Sequence, residues 1–388
     1  METMKKVMKF FLLYAGMLCT ISCAAQTEQG TQSKSYLDLN WKQVANGMPT
    51  AWYGSDEAKL VAENVLLAQK EIGGWAKNFP YHHKFSESEK RDFLNNKSKA
   101  GATFDNGATS TELRFLAKVY TQVNDIRYKQ AFDKGVNYFL IAQYKNGGWP
   151  QYFPVKDSAD EVLLDHTAPY SMHITYNDDA MVNIMHFLED IFTGNEAFTA
   201  LQISKDVKSK ARKAFDGGIK CFLKTQILVN NKPTVWCAQH NEITLAPANA
   251  RAYELASFSG SESVGILLLL MDINNPSKEI IASVNGAISW LENHKIEGKK
   301  ITTEINNDGQ KNRIVVDDKN APTIWARFYD LKTEKPFFCS RDGIEKSSLA
   351  EISYERRNGY SWYTSRPADV IKKYPGWAKT WNVNQIIK

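Results

Sequence analysis

The chain has 388 residues, with 48 Lys and Arg against 43 Asp and Glu, for a net charge of +5. So small a bias suits an anionic ligand but does not argue for nucleic acid, whose partners carry far denser basic patches. Ten Trp and seventeen Tyr supply a substantial core, and the length allows one large domain or two ordinary ones.

At the start, Lys5, Lys6 and Lys9 precede a short apolar run over 10–18, and small residues follow at Ser22, Ala24 and Ala25. That order is the layout of a secretory signal, so residues 1–25 are expected to be cleaved, leaving one exported domain over 26–388. The product is secreted or periplasmic on this reading. Lipidation at Cys23 is the alternative, and it would hold the protein at the cell surface. Losing three Lys and one Glu with the signal would lower the charge from +5 to +3. No later segment reads as a membrane span: "VGILLLLMDI" at 264–273 is interrupted by Asp272 and reads as a buried helix. Cys221, Cys237 and Cys339 remain. An odd count without close spacing gives neither a zinc pattern nor a disulfide scaffold, and whether Cys237 pairs with Cys339 stays open.

Helical periodicity dominates the rest of the chain. From Ser55, the residues Val61, Val65, Ala68 and Ile72 recur at helix spacing and stop at Gly73-Gly74. In "TSTELRFLAKVYTQV", Thr109 and Glu112 have the spacing of a capping box, and Leu113, Leu116, Tyr120 and Val123 share a face. Residues 127–144 gather Phe132, Val136, Phe139 and Leu140 and stop before Gly147-Gly148. Further helices are expected over 178–193, 204–226, 261–273 and 277–294. One hairpin is expected over 301–316, turning at Asp308-Gly309.

Two segments repeat. Residues 67–80, "LAQKEIGGWAKNFP", and 141–154, "IAQYKNGGWPQYFP", share Ala, Gln, Gly-Gly-Trp, Phe and Pro at an offset of 74 residues. A weaker echo aligns Gln226 of "CFLKTQ" with Gln69 and Gln143, and "SWLENHK" at 289–295 is a candidate fourth copy. Helix pairs that bury their inner faces against one another would read this way. The expected fold is therefore mainly α: an α/α toroid, an incomplete barrel of helical hairpins, with small β-hairpin additions. A ring of this kind gathers its loops, and a cleft, at one end. The plainer reading of Gly-Gly-Trp is a helix stop followed by a core Trp.

Four stretches carry more polar detail than packing needs. "TFDNGATSTE" sets Asp105 and Asn106 before a helix, and "TYNDDAM" sets Asn177, Asp178 and Asp179 before another. Acidic residues there can cap a helix, or the two loops can converge on a hard cation such as calcium, which takes several oxygen ligands. No EF-hand spacing is present. The third stretch, 236–263, holds His240, Glu242, Arg251, Glu254 and Glu262, and the fourth, 325–343, holds Arg327 and Arg341. An Arg beside a carboxylate is commonly a surface ion pair of little value, but it is also the fork that grips a carboxylate through two bonds. His240 is a candidate base or a satisfied structural residue.

"NGGWPQYFP", "TYNDDAM", "WCAQHNEITLAPANARAYELASFSGSESVGI", "WARFYDLKTEKPFFCSRDG" and "YERRNGYSWY", in this order, resemble the family 10 pectate lyases over about residues 38–380. The resemblance implies an α/α toroid that cleaves α-1,4-linked polygalacturonate by β-elimination with Ca2+, leaving 4,5-unsaturated sugars. On matching positions it implies Arg251 as the base and Asp105 as a second catalytic residue. Arg327 and Arg341 would hold substrate carboxylates, with Asn106 and Trp149 as further substrate contacts and Asp178 and Asp179 on the metal. Asn241 stands where the family commonly has Asp, and Ala248-Asn249 is a further departure. The protein is expected to act as a monomer. Two rival readings are a uronyl hydrolase using Asp105 and Asp178 as acid and base, and a non-catalytic pectin binder with Trp75 and Trp149 as sugar platforms.

Overall fold

A computed structural model describes residues 35–155, 170–384 and 386. The signal segment and Cys23 lie outside the described residues. Along the described chain, the helices are α1 (Trp41–Gly47), α2 (Asp56–Ala68), α3 (Glu87–Asn95), α4 (Ser110–Val123), α5 (Ile126–Ile141) and α6 (Ala180–Thr193). They continue with α7 (Lys205–Thr225), α8 (Glu262–Asp272), α9 (Lys278–Asn293), α10 (Tyr354–Gly359) and α11 (Pro367–Thr380). The expected long helices form, and their starts follow local chemistry. Ser55, Asp125, Ser204 and Ser277 each accept a bond from a backbone N–H of the first turn, satisfying a group the helix itself cannot pair.

The helices pack as hairpins, α4 on α5, α6 on α7 and α8 on α9. One row runs α2, α5, α7, α9 and a second runs α4, α6, α8, with each helix touching the next, while α11 closes against α8 and α9. α8 is the apolar "VGILLLLM" segment and is buried on nearly every side, whereas α7 turns its lysine-rich face outward. Strand is sparse. Most ladders have two residues a side, and the one extended hairpin pairs Lys299–Ile305 with Lys311–Asp317 around Gly309. The described residues include no helix long and apolar enough to cross a membrane. Cys221, Cys237 and Cys339 are all buried free thiols, which settles the open pairing.

The repeat has a mechanical explanation. The indole N–H of Trp75 donates to the carbonyl of Val65 at 2.7 Å, and that of Trp149 to Phe139 at 2.8 Å. Trp236 does the same to Phe222 and Trp325 to Leu291, both at 2.7 Å. Each Trp is thereby pinned to the helix before it. The three aligned glutamines add a second fastening that reaches forward. Gln69 Nε2 bonds Gly73 and Ala131, Gln143 Nε2 bonds Gly147 and Ala214, and Gln226 Nε2 bonds Thr234 and Ser283. In every case the second carbonyl belongs to the next helix of the first row, α5, α7 or α9. Gly73 and Gly147 take φ of +112° and +95°, and a side chain on either would collide with the backbone of α5 at Lys134 or of α7 at Gly217. Gly-Gly is therefore needed both for conformation and for close approach.

Two expectations fail here. Thr109 and Glu112 form no capping box: Thr109 has φ +67° and makes no cap bond. Its hydroxyl donates to Thr103 O and accepts from Trp75 N. Glu112 is buried instead, with Trp41 Nε1 donating to it at 2.6 Å. Trp149 is fully buried and cannot be a sugar contact. Trp75 is excluded as a platform for the same reason.

Two outcomes are expected in thermal unfolding. Gly147→Ala should cost more than about 2 kcal/mol, because it combines φ strain with a backbone collision. Gly376→Ala, within α11 and with nothing within 4 Å, should be neutral or gain up to about 1 kcal/mol; equal behaviour of the two would remove the close-approach argument. Burial pushes the Glu112 carboxyl up to about 7, above its unfolded value, so the folded state holds the proton more tightly. Stability should then fall as pH rises from about 4.5 to 7. Glu112→Gln should raise Tm by a few degrees at pH 8 and change it little at pH 4.

Candidate active site

The loops Asp105–Gly107 and Asn177–Asp179 lie against each other, at the heads of α4 and α6. Both contain a non-glycine residue in the left-handed region, Asn106 at φ +54° and Asp178 at +51°. Asn and Asp tolerate this conformation better than most residues. Neither loop uses its acids as caps, so the capping reading fails and the carboxylates are spent on other partners.

Asp105 is buried and pairs with Lys77, and Gln151 Nε2 donates to the same Oδ2 at 2.9 Å. Its Oδ1 is buried without a partner. Lys77 and Gln151 occupy the same repeat position, two residues after the pinned Trp75 and Trp149. Burial disfavours the Lys77 charge, but Asp105 outweighs it and its pKa rises.

Arg327 sits two residues after the pinned Trp325. It is buried, and its Nη2 donates to Asn177 Oδ1 at 3.1 Å, to Asp178 Oδ1 at 3.2 Å and to the buried Glu262. The guanidinium lies 4.7 Å from the centre of the Tyr360 ring. Burial opposes its charge, yet Glu262, Tyr360 and Asp178 together raise its pKa. Asp178 keeps 43% of its side chain exposed. Asp179, expected beside it on a metal, is engaged by Arg366 at 2.7 Å, and its Oδ1 is buried against Gly265 of α8.

A second group of guanidiniums surrounds Tyr253: Arg356 at 4.4 Å from the ring centre, Arg251 at 5.1 Å and Arg341 at 5.4 Å. Arg251 makes a two-bond fork to the buried Glu254 at 2.8 and 2.6 Å, and Tyr360 Oη donates to Glu254 at 2.8 Å. Burial works against the Arg251 charge, but the Glu254 bonds prevail and raise its pKa. Glu254 thus holds it as a guanidinium in the free protein, with Nε and Nη2 occupied and Nη1 left over. Arg341 is exposed and forks to Glu355 at 3.2 Å. Tyr253, Phe328, Phe338 and Trp362 form a separate small core, and it is this cluster that carries the arginines.

His240 is not a base. It is fully buried, its Nε2 accepts from Cys237 N at 3.1 Å, and its Nδ1 faces Leu245 O at 3.0 Å. Burial drives its pKa down to about 4, so it is neutral and structural.

Calcium takes six to eight oxygens. Among the described residues, no three His, Cys, Asp or Glu side chains are grouped to hold a metal ion. The donor chemistry is still of the right kind. The half-open Asp178 carboxylate and the unpartnered Asp105 Oδ1 belong to touching loops. These oxygens are too few alone, and a bound ion would need further oxygens from its ligand and water.

Sequence reasoning placed Asp105, Asp178, Arg251, Arg327 and Arg341, and the structure brings them into two adjoining clusters that share Tyr360. It missed Lys77, Gln151, Tyr253, Tyr360 and Arg356, and gave Glu254 and Glu262 no role. Lys77 and Gln151 were within reach, because the 74-residue offset superposes them.

The comparison with curated proteins returned no match. The family model described as pectic acid lyase matches residues 69–371. A solved family 10 polysaccharide lyase from Cellvibrio cellulosa is 32% identical, with a TM-score of 0.68 over 86% of this chain and 96% of its own. An aspartate-to-alanine mutant of that lyase, in complex with trigalacturonic acid, is 31% identical at a TM-score of 0.68 over 90% and 99% of the two chains. On the family match and this likeness together, the chain belongs to the pectic acid lyases of polysaccharide lyase family 10 and is a lyase.

Proposed function

We propose that this lyase cleaves α-1,4-linked polygalacturonate by calcium-assisted β-elimination. The observation that carries the reading is the meeting of a carboxylate-bearing loop pair with four guanidiniums at Tyr253 and Tyr360. The trigalacturonic acid complex of the Cellvibrio cellulosa lyase supports the substrate class. We read the two helix rows as an α/α toroid, supported by their successive contacts. The export signal over 1–25 supports secretion, with a lipid anchor at Cys23 as the other route.

In the reaction the C5 proton of a uronate leaves to a base, and its electron pair becomes the C4–C5 double bond. The C4–O4 bond breaks, and O4 departs with a proton. No water is consumed. Arg327 and Arg341 are suited to uronate carboxylates, since each presents N–H donors at fixed geometry. Asp178, with Asp105 and the substrate's own carboxylates, would hold the ion. When bound, Ca2+ supplies Lewis-acid stabilisation of the charge that develops as the C5 proton leaves. Lys77 and Gln151 orient Asp105 through its Oδ2. Arg251 is the proposed base, acting through Nη1, the nitrogen Glu254 leaves free. Glu254 opposes this by favouring the charged form, so deprotonation requires neighbouring positive charge from the ion and from Arg356.

This arrangement is open to two tests. Asp178→Asn should cut turnover about a hundredfold and weaken calorimetric Ca2+ binding in the presence of oligogalacturonate, with unchanged helical circular dichroism. A chelator should abolish turnover, and Ca2+ should restore it better than Mg2+, whose octahedral demand is stricter. Full activity after exhaustive chelation would remove the ion from the mechanism.

The pH profile reports on the base. With Arg251 held charged, activity should keep climbing through the alkaline range, and Arg251→Lys should lose nearly all turnover while still binding substrate. A profile that plateaus by neutrality, with an active Arg251→Lys variant, would overturn the assignment.

A further inference from the structure

Beside the Asp105 loop is a cavity of 530 Å3 whose walls include Trp41, Lys42, Phe79, His82, Asn106 and Glu112. Its volume lies in the range of small-molecule sites, about 300–1,000 Å3. We propose that this cavity is a distal subsite that binds one uronate unit of the polymer beyond the catalytic centre. The proposal rests on the pectate reading and adds a place for the substrate to extend.

Three buried polar atoms on these walls have no hydrogen-bond partner among the described residues. They are both ring nitrogens of His82 and the Oε2 of Glu112, whose other oxygen accepts from Trp41, and His82 is only 3% exposed and Glu112 2%. Such groups are costly unless a ligand or water satisfies them. Burial is the main reason the His82 pKa is lowered, with His83 adding to it and the Leu39 backbone pulling weakly the other way. The imidazole therefore offers both a donor and an acceptor, as the hydroxyls of a sugar require. Glu112, pushed up to about 7 by burial, can also present a proton near neutrality.

The ligand's charge is indicated by Lys42. It is exposed and makes no ion pair among the described residues, and a methyl placed on Gly107 would lie 3.7 Å from its Nζ. An open ammonium is thus held next to the loop that carries Asp105 and Asn106. Half-buried Trp41 and Phe79 provide apolar wall for the sugar's C–H face. Asn106 joins the cavity to the catalytic loop and is itself held by Asn78, its Nδ2 donating to Asn78 Oδ1 at 3.1 Å. Leu39, Asn40, Trp41 and Lys42 precede residue 69, where the family match begins.

The test uses the full chain and defined oligomers. Lys42→Gln should lower kcat/KM for hexagalacturonate relative to trigalacturonate by about three- to tenfold, the size expected for one exposed ion pair. Lys42→Arg should recover most of that ratio. A hexamer-to-trimer ratio equal to that of the wild type would overturn the subsite. If the wild type forms no unsaturated product from either oligomer, the lyase reaction on this substrate fails as a separate matter. Calorimetric hexamer affinity then decides: weaker binding by Lys42→Gln keeps the subsite, and equal binding removes it.

Discussion

The bond on which the rest depends is an indole N–H donated to the carbonyl of the preceding helix. It occurs four times, at Trp75, Trp149, Trp236 and Trp325, and all four rings are buried. A hydrogen bond of this kind contributes about 1 kcal/mol net, but leaving either partner buried and unpaired costs about 1–3 kcal/mol. Its larger effect is positional. The backbone leaving each Trp is fixed in direction, and two residues on stand Lys77, Gln151 and Arg327, three of the polar groups that define the site. A core contact in one layer thus decides where charges lie in another.

Charge within the site is organised by buried carboxylates that face the arginines from behind. Glu262 holds Arg327 and Glu254 holds Arg251, while the rings of Tyr360 and Tyr253 cover the flat faces of the guanidiniums. The forks are therefore oriented before an anionic ligand arrives, which reduces the ordering cost of binding. The same arrangement works against any loss of a proton from Arg251. Grip and basicity compete at this residue, and local positive charge is what shifts the balance.

Much of the architecture was legible because helix periodicity and Gly stops are local signals. α2, α5, α7 and α9 begin at Ser or Asp caps and end within a few residues of where the pattern breaks. Carboxylate roles were less legible, since a residue's partner lies far off in the chain. Glu112 has capping-box spacing but is drawn into the core by Trp41, 71 residues away. Asp178 and Asp179 look like helix-start acids, yet Arg327 and Arg366 claim them across 149 and 187 residues. Trp149 looked like a sugar platform because exposure is not written in sequence; its indole is turned inward by a carbonyl ten residues earlier.

The glutamine fastenings reach forward by 62, 71 and 57 residues. The turns after α2, α5 and α7 are thus each completed by a helix belonging to the next unit. In a simple stacked array, units can fray one at a time from an end. Here the loss of one helix of the first row strips a glutamine amide of one of its two acceptors in the unit before it, so damage propagates backward along the chain. The molecule should accordingly melt as a whole, and shortening it at a hairpin boundary would leave a lesion inside the hairpin that remains.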